Sequence, residues 1–382
     1  IGSRTAEMIK KYDAQYMQFT DAYKKKLEDY GAKLNQQYAL LSEKHTKKSG
    51  ETDAALAAQY GALSEKYKEL ADFSSKYPNI VIALGMFDGI HIGHQEIIRT
   101  AVAKAQEING AALVFSFSNH PRSIIAPNAV PHRIASDSIR FCVLKNLGVN
   151  ALVEIPFTAD FAETGAADFI GLLQRYFSPK YVVVGENYTF GRGGHGTPNL
   201  LQDSAAACGF QVIVCQPVMR DGAPVSSTRI RALIANGDLS KVNEYLGYPF
   251  TINGTVIHGQ ERGRRLGFPT ANLALREEFE HLPNGVYAVT VLYQGDLYRA
   301  AANIGNNPTF DGCDRRLEVH IMEFSGDLYG EELMISFYKK IRNEQRFSSI
   351  DDLIRQIADD KETVGHIFDE SFRLQENISM VI

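Results

Sequence analysis

From residue 80 onward the chain carries two kinds of apolar pattern. Short continuous runs at 80–84, 112–117, 151–155, 181–184 and 212–215 are rich in β-branched residues and read as buried strands. Between them lie stretches with helical spacing, such as 96–105 and 166–174. This alternation predicts a doubly wound α/β sheet. At Leu246-Gly247-Tyr248-Pro249 the pattern changes to alternating runs at 250–258, 285–293, 297–304, 317–324 and 333–341. Turn residues separate them, among them Pro283-Asn284-Gly285, Gln294-Gly295-Asp296 and Ser325-Gly326-Asp327. They predict a compact antiparallel β-barrel, with a helix over 349–358 packed on it.

The first 76 residues follow a different rule. Tyr12, Tyr16, Phe19, Tyr23, Leu27, Tyr30, Leu34, Tyr38 and Leu41 recur in an eleven-residue period, resumed by Leu56, Tyr60, Leu63 and Tyr67. A 22-residue echo aligns Ala14-Gln15-Tyr16 with Gln36-Gln37-Tyr38 and Ala58-Gln59-Tyr60. The repeat predicts coiled or hairpin-packed helices, with Gly50 as a stop and Thr52 as the N-cap of the second. An amphipathic spacer is the plain reading, and self-association through these helices is the functional alternative. The expected organisation is therefore helical repeat 1–76, α/β domain 77–245, barrel domain 246–367 and tail 368–382.

Composition narrows the function. The 382 residues carry a net charge of −5, so the basic footprint of a nucleic-acid binder is absent and no nucleic-acid partner is expected. No run is long and apolar enough for a membrane span, no secretory leader is visible, and a membrane role is not expected. Cys142, Cys208, Cys215 and Cys313 lack CxxC spacing and read as free thiols in a reducing, cytoplasmic setting.

The densest candidate chemistry follows the first predicted strand, in Gly85-Met86-Phe87-Asp88-Gly89-Ile90-His91-Ile92-Gly93-His94. A strand, a glycine-rich turn and a helix start suit phosphate, because helix N-termini present free N–H groups and a positive dipole end. His91 and His94 fall on one side of the first helical turn, where both can donate to phosphate oxygens. A zinc pair is the competing reading, but no third ligand lies at a suitable spacing. A second cluster, Ser226-Ser227-Thr228-Arg229-Ile230-Arg231, opens another helix with hydroxyls and two arginines, which reads as a phosphate clamp or as a capping cluster. Gly191-Arg192-Gly193-Gly194-His195-Gly196 matches G-x-G-x-x-G, but it does not open a helix directly after a strand, so it is weak support for a dinucleotide-binding reading.

In the predicted barrel, Gly263-Arg264-Arg265-Leu266-Gly267-Phe268-Pro269-Thr270-Ala271-Asn272 sets a basic loop before two oxygen donors suited to magnesium and phosphate, or to a β-turn. In Arg316-Leu317-Glu318-Val319-His320 the strand alternation puts Glu318 and His320 on one face. Glu318 there is either a general base or a solvated strand residue.

These motifs carry a resemblance. Gly85 to His94 is similar to the nucleotidyltransferase signature G-x-F-D-G-x-H-x-G-H, and in this form resembles the bifunctional bacterial riboflavin kinase/FAD synthetase family. Ser226 to Arg231 is similar to its S-S-T-x-I-R. Val184-Gly185-Glu186-Asn187-Tyr188-Thr189-Phe190-Gly191 is similar to V-G-x-D-F-x-F-G, with Asn187 and Tyr188 replacing Asp and Phe. Phe117-Ser118-Asn119-His120-Pro121 resembles F-x-P-H-P, with Asn119 replacing Pro. The barrel resembles the riboflavin kinase module through G-R-x-L-G-x-P-T-A-N, the strand Glu-x-His, and Asn303-Ile304-Gly305-Asn306-Asn307-Pro308-Thr309-Phe310. The resemblance covers residues 80–367 and not the helical repeat.

The resemblance implies a nucleotidyltransferase α/β domain followed by a riboflavin kinase barrel, using ATP and Mg²⁺ to convert riboflavin to FMN and FMN to FAD. It implies that His91, His94 and Arg229 stabilise charge during adenylyl transfer. Gly85, Phe87, Asp88, Gly89, Ser226, Ser227, Thr228 and Arg231 would bind ATP phosphates, and His120 and Asn187 would lie toward the flavin. In the kinase, Gly263, Gly267, Thr270 and Asn272 would hold Mg-ATP, with Thr270 and Asn272 as metal ligands and Glu318 as base. Departures at Met86, Asn119, Asn187 and Tyr188 all fall in the first module. The alternatives are therefore a kinase with a degenerate first module, or a non-catalytic flavin-binding scaffold.

Overall fold

The computed structural model describes residues 77–259, 268–309 and 312–372. The expected N-terminal helices, Gly263, Gly267 and the chain after 372 lie outside the described residues.

The first module is a five-stranded parallel sheet in the order β3-β2-β1-β4-β5. Its strands are β1 (Val81–Leu84), β2 (Ala112–Phe117), β3 (Ala151–Ile155), β4 (Tyr181–Gly185) and β5 (Gln211–Cys215). Helices α1 (Ile92–Glu107), α2 (Arg122–Ile125), α3 (Asp137–Asn146), α4 (Ala159–Ala162), α5 (Ala166–Phe177) and α6 (Pro198–Cys208) connect them. A short hairpin, β6 (Met219–Arg220) with β7 (Ala223–Pro224), precedes α7 (Ser227–Asn236) and α8 (Leu239–Leu246). Strand alternation feeds two cores. Val81, Ala83, Ala112 and Val114 face one, while Ile82, Leu84, Leu113 and Phe115 face the other. Central β1 is buried along its whole length, and the strand order reverses beside it. That reversal opens a crevice at the carboxyl ends of β1 and β4.

The second module is a closed barrel in the order β10-β11-β12-β9-β8-β13. Its strands are β8 (Phe250–Ile257), β9 (Ala271–Ala274), β10 (Gly285–Tyr293), β11 (Asp296–Thr309), β12 (Gly312–Ile321) and β13 (Glu332–Arg342). Every neighbouring pair is antiparallel, as the pattern predicts. Strand β9 has no counterpart in the sequence reading. It is four residues long, too short to display alternation, and Thr270 and Asn272 mimic turn chemistry. It nevertheless closes the barrel between β8 and β12. Helix α9 (Ile350–Phe372) runs well beyond the expected 349–358 and past the expected domain end at 367. Val364 and Phe368, one turn apart, bury against Ala288 of β10 and keep it ordered into the last turns.

The two modules share one apolar core, which runs from Val81 and Ile230 through Tyr245, Leu246 and Phe250 to Phe337. Asn243 of α8 stitches the junction: its amide nitrogen donates to the Phe337 carbonyl at 2.9 Å, and its oxygen accepts from the Phe250 amide at 2.8 Å. A parallel bridge joins Arg133 to Phe279, with Arg133 N–H on the Glu278 carbonyl at 2.8 Å and Glu280 N–H on the Arg133 carbonyl at 2.9 Å.

Arg342 and Asp360 fasten α9 to the barrel through contacts of 2.8 to 3.1 Å, with Asp360 buried. Removing the carboxylate leaves a guanidinium without its partner in a mostly dry site. Asp360→Ala is expected to lower unfolding free energy by about 3 kcal/mol, and Arg342→Met in the same chain to restore part of it, as read by urea denaturation.

Candidate active sites

The chain after β1 makes a tight left-handed turn, with Phe87 at φ 48°, Gly89 at φ 73° and Ile90 at φ 36°. Only glycine adopts this region without strain, and a Cβ at Gly89 would sit 2.8 Å from Ile134. Side chains hold the turn in this shape. Five consecutive carbonyls each accept a hydrogen bond from a different residue. Met86 accepts from Ser116 Oγ (2.9 Å), Phe87 from Arg140 Nε (3.3 Å) and Asp88 from Ser227 Oγ (3.1 Å). Gly89 accepts from the Tyr248 hydroxyl (2.6 Å) and Ile90 from Gln95 Nε2 (2.9 Å). With its carbonyls bound, the segment leads into the N-terminus of α1, the arrangement that suits an anion.

His91 is the N-cap of α1. Its Nδ1 accepts from the His94 amide at 3.3 Å, which fixes the proton on Nε2 and makes that atom a donor. The two imidazoles stack at 3.7 Å, and Phe87 meets His94 edge-on at 5.3 Å. Burial holds His91 down to a pKa of about 4, and Arg231 adds to the effect. His94 is pushed well below its ordinary value by burial, then by His91 and Arg140. Its Nδ1 is buried without a hydrogen-bond partner. Both rings are thus neutral at neutral pH, with no like-charge repulsion across the stack.

Helix α7 starts beside this turn. A Cβ on Gly93 would lie 3.7 Å from the Val225 carbonyl, and Ser227 bonds the Asp88 carbonyl, so the N-termini of α1 and α7 stand side by side. Ser226 caps α7 by accepting from the Arg229 amide. Of the three hydroxyl residues, Thr228 is the exposed one. Arg231 pairs with Asp88 at 2.5 Å and donates from Nε to the His132 carbonyl at 2.7 Å. Asp88 also accepts from the Ile134 amide, so this carboxylate orients Arg231 and the 132–134 segment.

Arg229, expected to stabilise charge, is engaged with the backbone and Tyr245 in this structure. Its Nη1 donates to the carbonyls of Arg220, Ala223 and Pro224, and its Nη2 donates to the Tyr245 hydroxyl at 2.8 Å. In this structure the guanidinium braces the β6–β7 hairpin against α8.

The remaining candidates in this module separate. His120 lies within electrostatic reach of Arg231 and Asp88; burial lowers its pKa, with Arg231 next. Asn119 bonds Phe157 in both directions, Nδ2 to the carbonyl at 3.0 Å and Oδ1 from the amide at 2.7 Å. It staples the loops after β2 and β3 together. Asn187 is exposed on the turn after β4. Tyr188 stacks on Phe190 within an aromatic cluster that includes Phe117, Phe161 and Phe169. The G-x-G-x-x-G stretch is a closed loop: Phe190 and Gly196 exchange backbone hydrogen bonds of 3.1 and 2.8 Å, and the next helix begins only at Pro198.

In the barrel, register assembles the second site. Glu318 of β12 lies opposite Asn272 of β9 and Asn303 of β11. Leu317 and Val319 are fully buried in the barrel, which leaves Glu318 and His320 on its outer face. Asn272 is buried, and its Nδ2 lies 3.4 Å from the Thr270 carbonyl. A Cβ on Gly259 would come within 2.5 Å of that amide, so the backbone of β8's end closes one wall. His320 Nδ1 donates to the Pro269 carbonyl at 2.9 Å, anchoring the segment that carries Thr270.

Sequence reasoning did not select Ser116, Gln95, Arg140 or Tyr248. Arg140 left one signal, an arginine on the stripe formed with Val143 and Leu144, and it is 3% exposed.

Comparison with known proteins matches both modules. A FAD synthetase family model matches residues 74–229, and a riboflavin kinase model matches 246–368. The bifunctional riboflavin kinase/FMN adenylyltransferase of Escherichia coli K12 is 37% identical over 290 residues, covering 75% of this chain and 92% of the relative. That of Bacillus subtilis is 34% identical over 299 residues, covering 75% and 92%. A solved chain from Streptococcus pneumoniae, described as a macrolide-efflux protein, superposes with a TM-score of 0.69 at 36% identity, covering 75% of this chain and 93% of that one. Among the described residues of the present chain, no helix is long and apolar enough to cross a membrane. A parallel α/β module with a histidine turn, joined to a six-stranded kinase barrel, defines a flavin-nucleotide transferase. The chain belongs to the bifunctional riboflavin kinase/FMN adenylyltransferase family.

The histidine stack has a pH signature. An unfolded histidine binds its proton near pH 6.5, whereas folded His91 binds it near pH 4. In that window the unfolded chain holds more protons, so stability falls as pH drops through it. His91 is expected to contribute about 2 kcal/mol of the loss between pH 7 and pH 5. Urea denaturation of wild type and His91→Asn at both pH values measures it; equal losses would remove burial of a neutral His91 as the cause.

Proposed function

We propose that this chain phosphorylates riboflavin to FMN in the barrel and adenylylates FMN to FAD in the α/β module, at the residues described above. The observation that carries the reading is the juxtaposition of two helix N-termini with the His91–His94 stack, at the switch point of a parallel sheet. There an FMN phosphate oxygen attacks the α-phosphorus of ATP, and the bond to pyrophosphate breaks. His91 Nε2–H, His94, Thr228 and the first amides of α1 and α7 bind the phosphate oxygens and stabilise their charge. Arg231, held by Asp88, lies within electrostatic reach of His120 and adds positive charge to this region.

In the barrel, Glu318 accepts the proton of the riboflavin 5′-hydroxyl as that oxygen attacks the γ-phosphorus and ADP leaves. Thr270 and Asn272 are the oxygen donors for magnesium. The donor set fits: a hydroxyl and an amide oxygen are hard oxygen ligands, and the Glu318 carboxylate stands opposite Asn272. Magnesium characteristically takes one or two protein oxygens and completes its shell with water and phosphate. Bound with ATP, it neutralises phosphate charge.

The departures in the first module do not favour a degenerate site. Asn119 forms a two-way staple, and Tyr188 keeps the aromatic packing of a phenylalanine. Cys142, Cys208 and Cys215 are free thiols, which with the need for ATP supports a cytoplasmic setting.

Flavin chromatography after incubation with Mg-ATP tests the reading, starting from riboflavin in one tube and FMN in another. FAD is expected in both. Glu318→Gln is expected to slow riboflavin phosphorylation by about 10²-fold or more and to leave FMN adenylylation unchanged. Loss of neither reaction would remove Glu318 from the chemistry.

A further inference from the structure

Of the five donors on the 86–90 turn, four come from the module they serve. The fifth, Tyr248, precedes the first strand of the other module. It is 7% exposed, and its hydroxyl makes the shortest of the five contacts, 2.6 Å to the Gly89 carbonyl. Burial, with the Asp88 carboxylate next, raises the phenol above its ordinary range, so the group stays a donor. The neighbouring backbone presses on the same place. Gln95 Nε2 donates both to Ile90 and, at 2.7 Å, to the Leu246 carbonyl. A Cβ on Gly247 would lie 2.9 Å from Ile92, and Gly247 itself has φ 75°. The segment 246–248 is thus seated directly behind the turn that opens α1.

We propose that Tyr248 is a positioning residue for adenylyl transfer, by which the start of the kinase module holds the phosphate-facing turn of the adenylyltransferase module. The proposal rests on the reading of that module as an FMN adenylyltransferase. Gly89 is the position where the turn is freest, because it has no side chain and φ 73°. Without its donor, the Gly89 carbonyl is free to rotate, and the peptide linking it to Ile90 rotates with it. The amides that meet the phosphates then lose their aim. Electrostatic stabilisation depends on donors being fixed before the charge develops, so the loss falls on kcat more than on substrate binding.

The test is Tyr248→Phe in the full chain, which removes the hydroxyl and keeps the ring. Adenylylation of FMN is expected to lose about tenfold or more in kcat, with the KM for Mg-ATP changing much less. Riboflavin phosphorylation by the same preparation is expected to stay at the wild-type rate. Amide hydrogen exchange is expected to quicken in the peptide covering 86–94 and not in β10. Wild-type kcat for FAD formation in the variant would overturn the proposal. An equal fall in both activities, with faster exchange throughout, would also overturn it, since that is a general loss of folding. A wild-type chain that makes no FAD from FMN would instead overturn the reading of the whole module, and the proposal with it.

Discussion

A turn that leads into a helix N-terminus offered to phosphate must face its carbonyls away, and outside regular structure it has no ladder of its own to hold them there. Here the constraint is met by side chains from Ser116, Arg140, Ser227, Tyr248 and Gln95, one for each carbonyl from Met86 to Ile90. These come from β2, α3, α7, the inter-module link and α1. The surrounding architecture can be understood as the means of delivering five donors to one short turn. The parallel sheet brings β2 beside β1. Helix α3 buries an arginine on its apolar stripe, and α7 packs its first turn against Asp88. Each bond alone is modest, but a buried carbonyl left without a donor is costly, so the set is held together by what its absence would cost.

The barrel solves a different problem. The proposed site there sets a carboxylate opposite an amide at a fixed height, and antiparallel register supplies that directly. Glu318 faces Asn272 because β9 and β12 pair there, and a slip of one strand by one residue would turn its side chain to the core face. His320 then ties the Pro269 carbonyl to the strand that carries Glu318. The first site is thus fixed by side chains acting on backbone, and the second by backbone acting on side chains.

This difference explains what was legible in the sequence. Strands β1 to β5 announce themselves as apolar runs, and the barrel strands as alternation, because periodicity reports burial. The two candidate phosphate segments stood out because glycines, histidines and hydroxyl residues cluster locally. The donors behind the turn did not, since Ser116 and Tyr248 lie 30 and 159 residues from the carbonyls they hold. Distance along the chain hides such pairs. The bracing of the hairpin by Arg229 was hidden for a related reason: the motif shows an arginine among hydroxyl residues, and not the carbonyls of the adjacent hairpin that it holds. Short β9 escaped because four residues cannot show a period, and α9 was cut short because its last apolar contacts lie on β10.

The continuous core from Val81 to Phe337 bears on how such a chain can change over generations. Residues at the seam answer to two reactions at once, so a substitution there is filtered by whichever reaction tolerates it less. A gene fission at the seam would leave each half with a raw apolar wall. Fused descent keeps those walls covered, and it lets the surface loops of the two halves diverge independently while their common interior stays conservative.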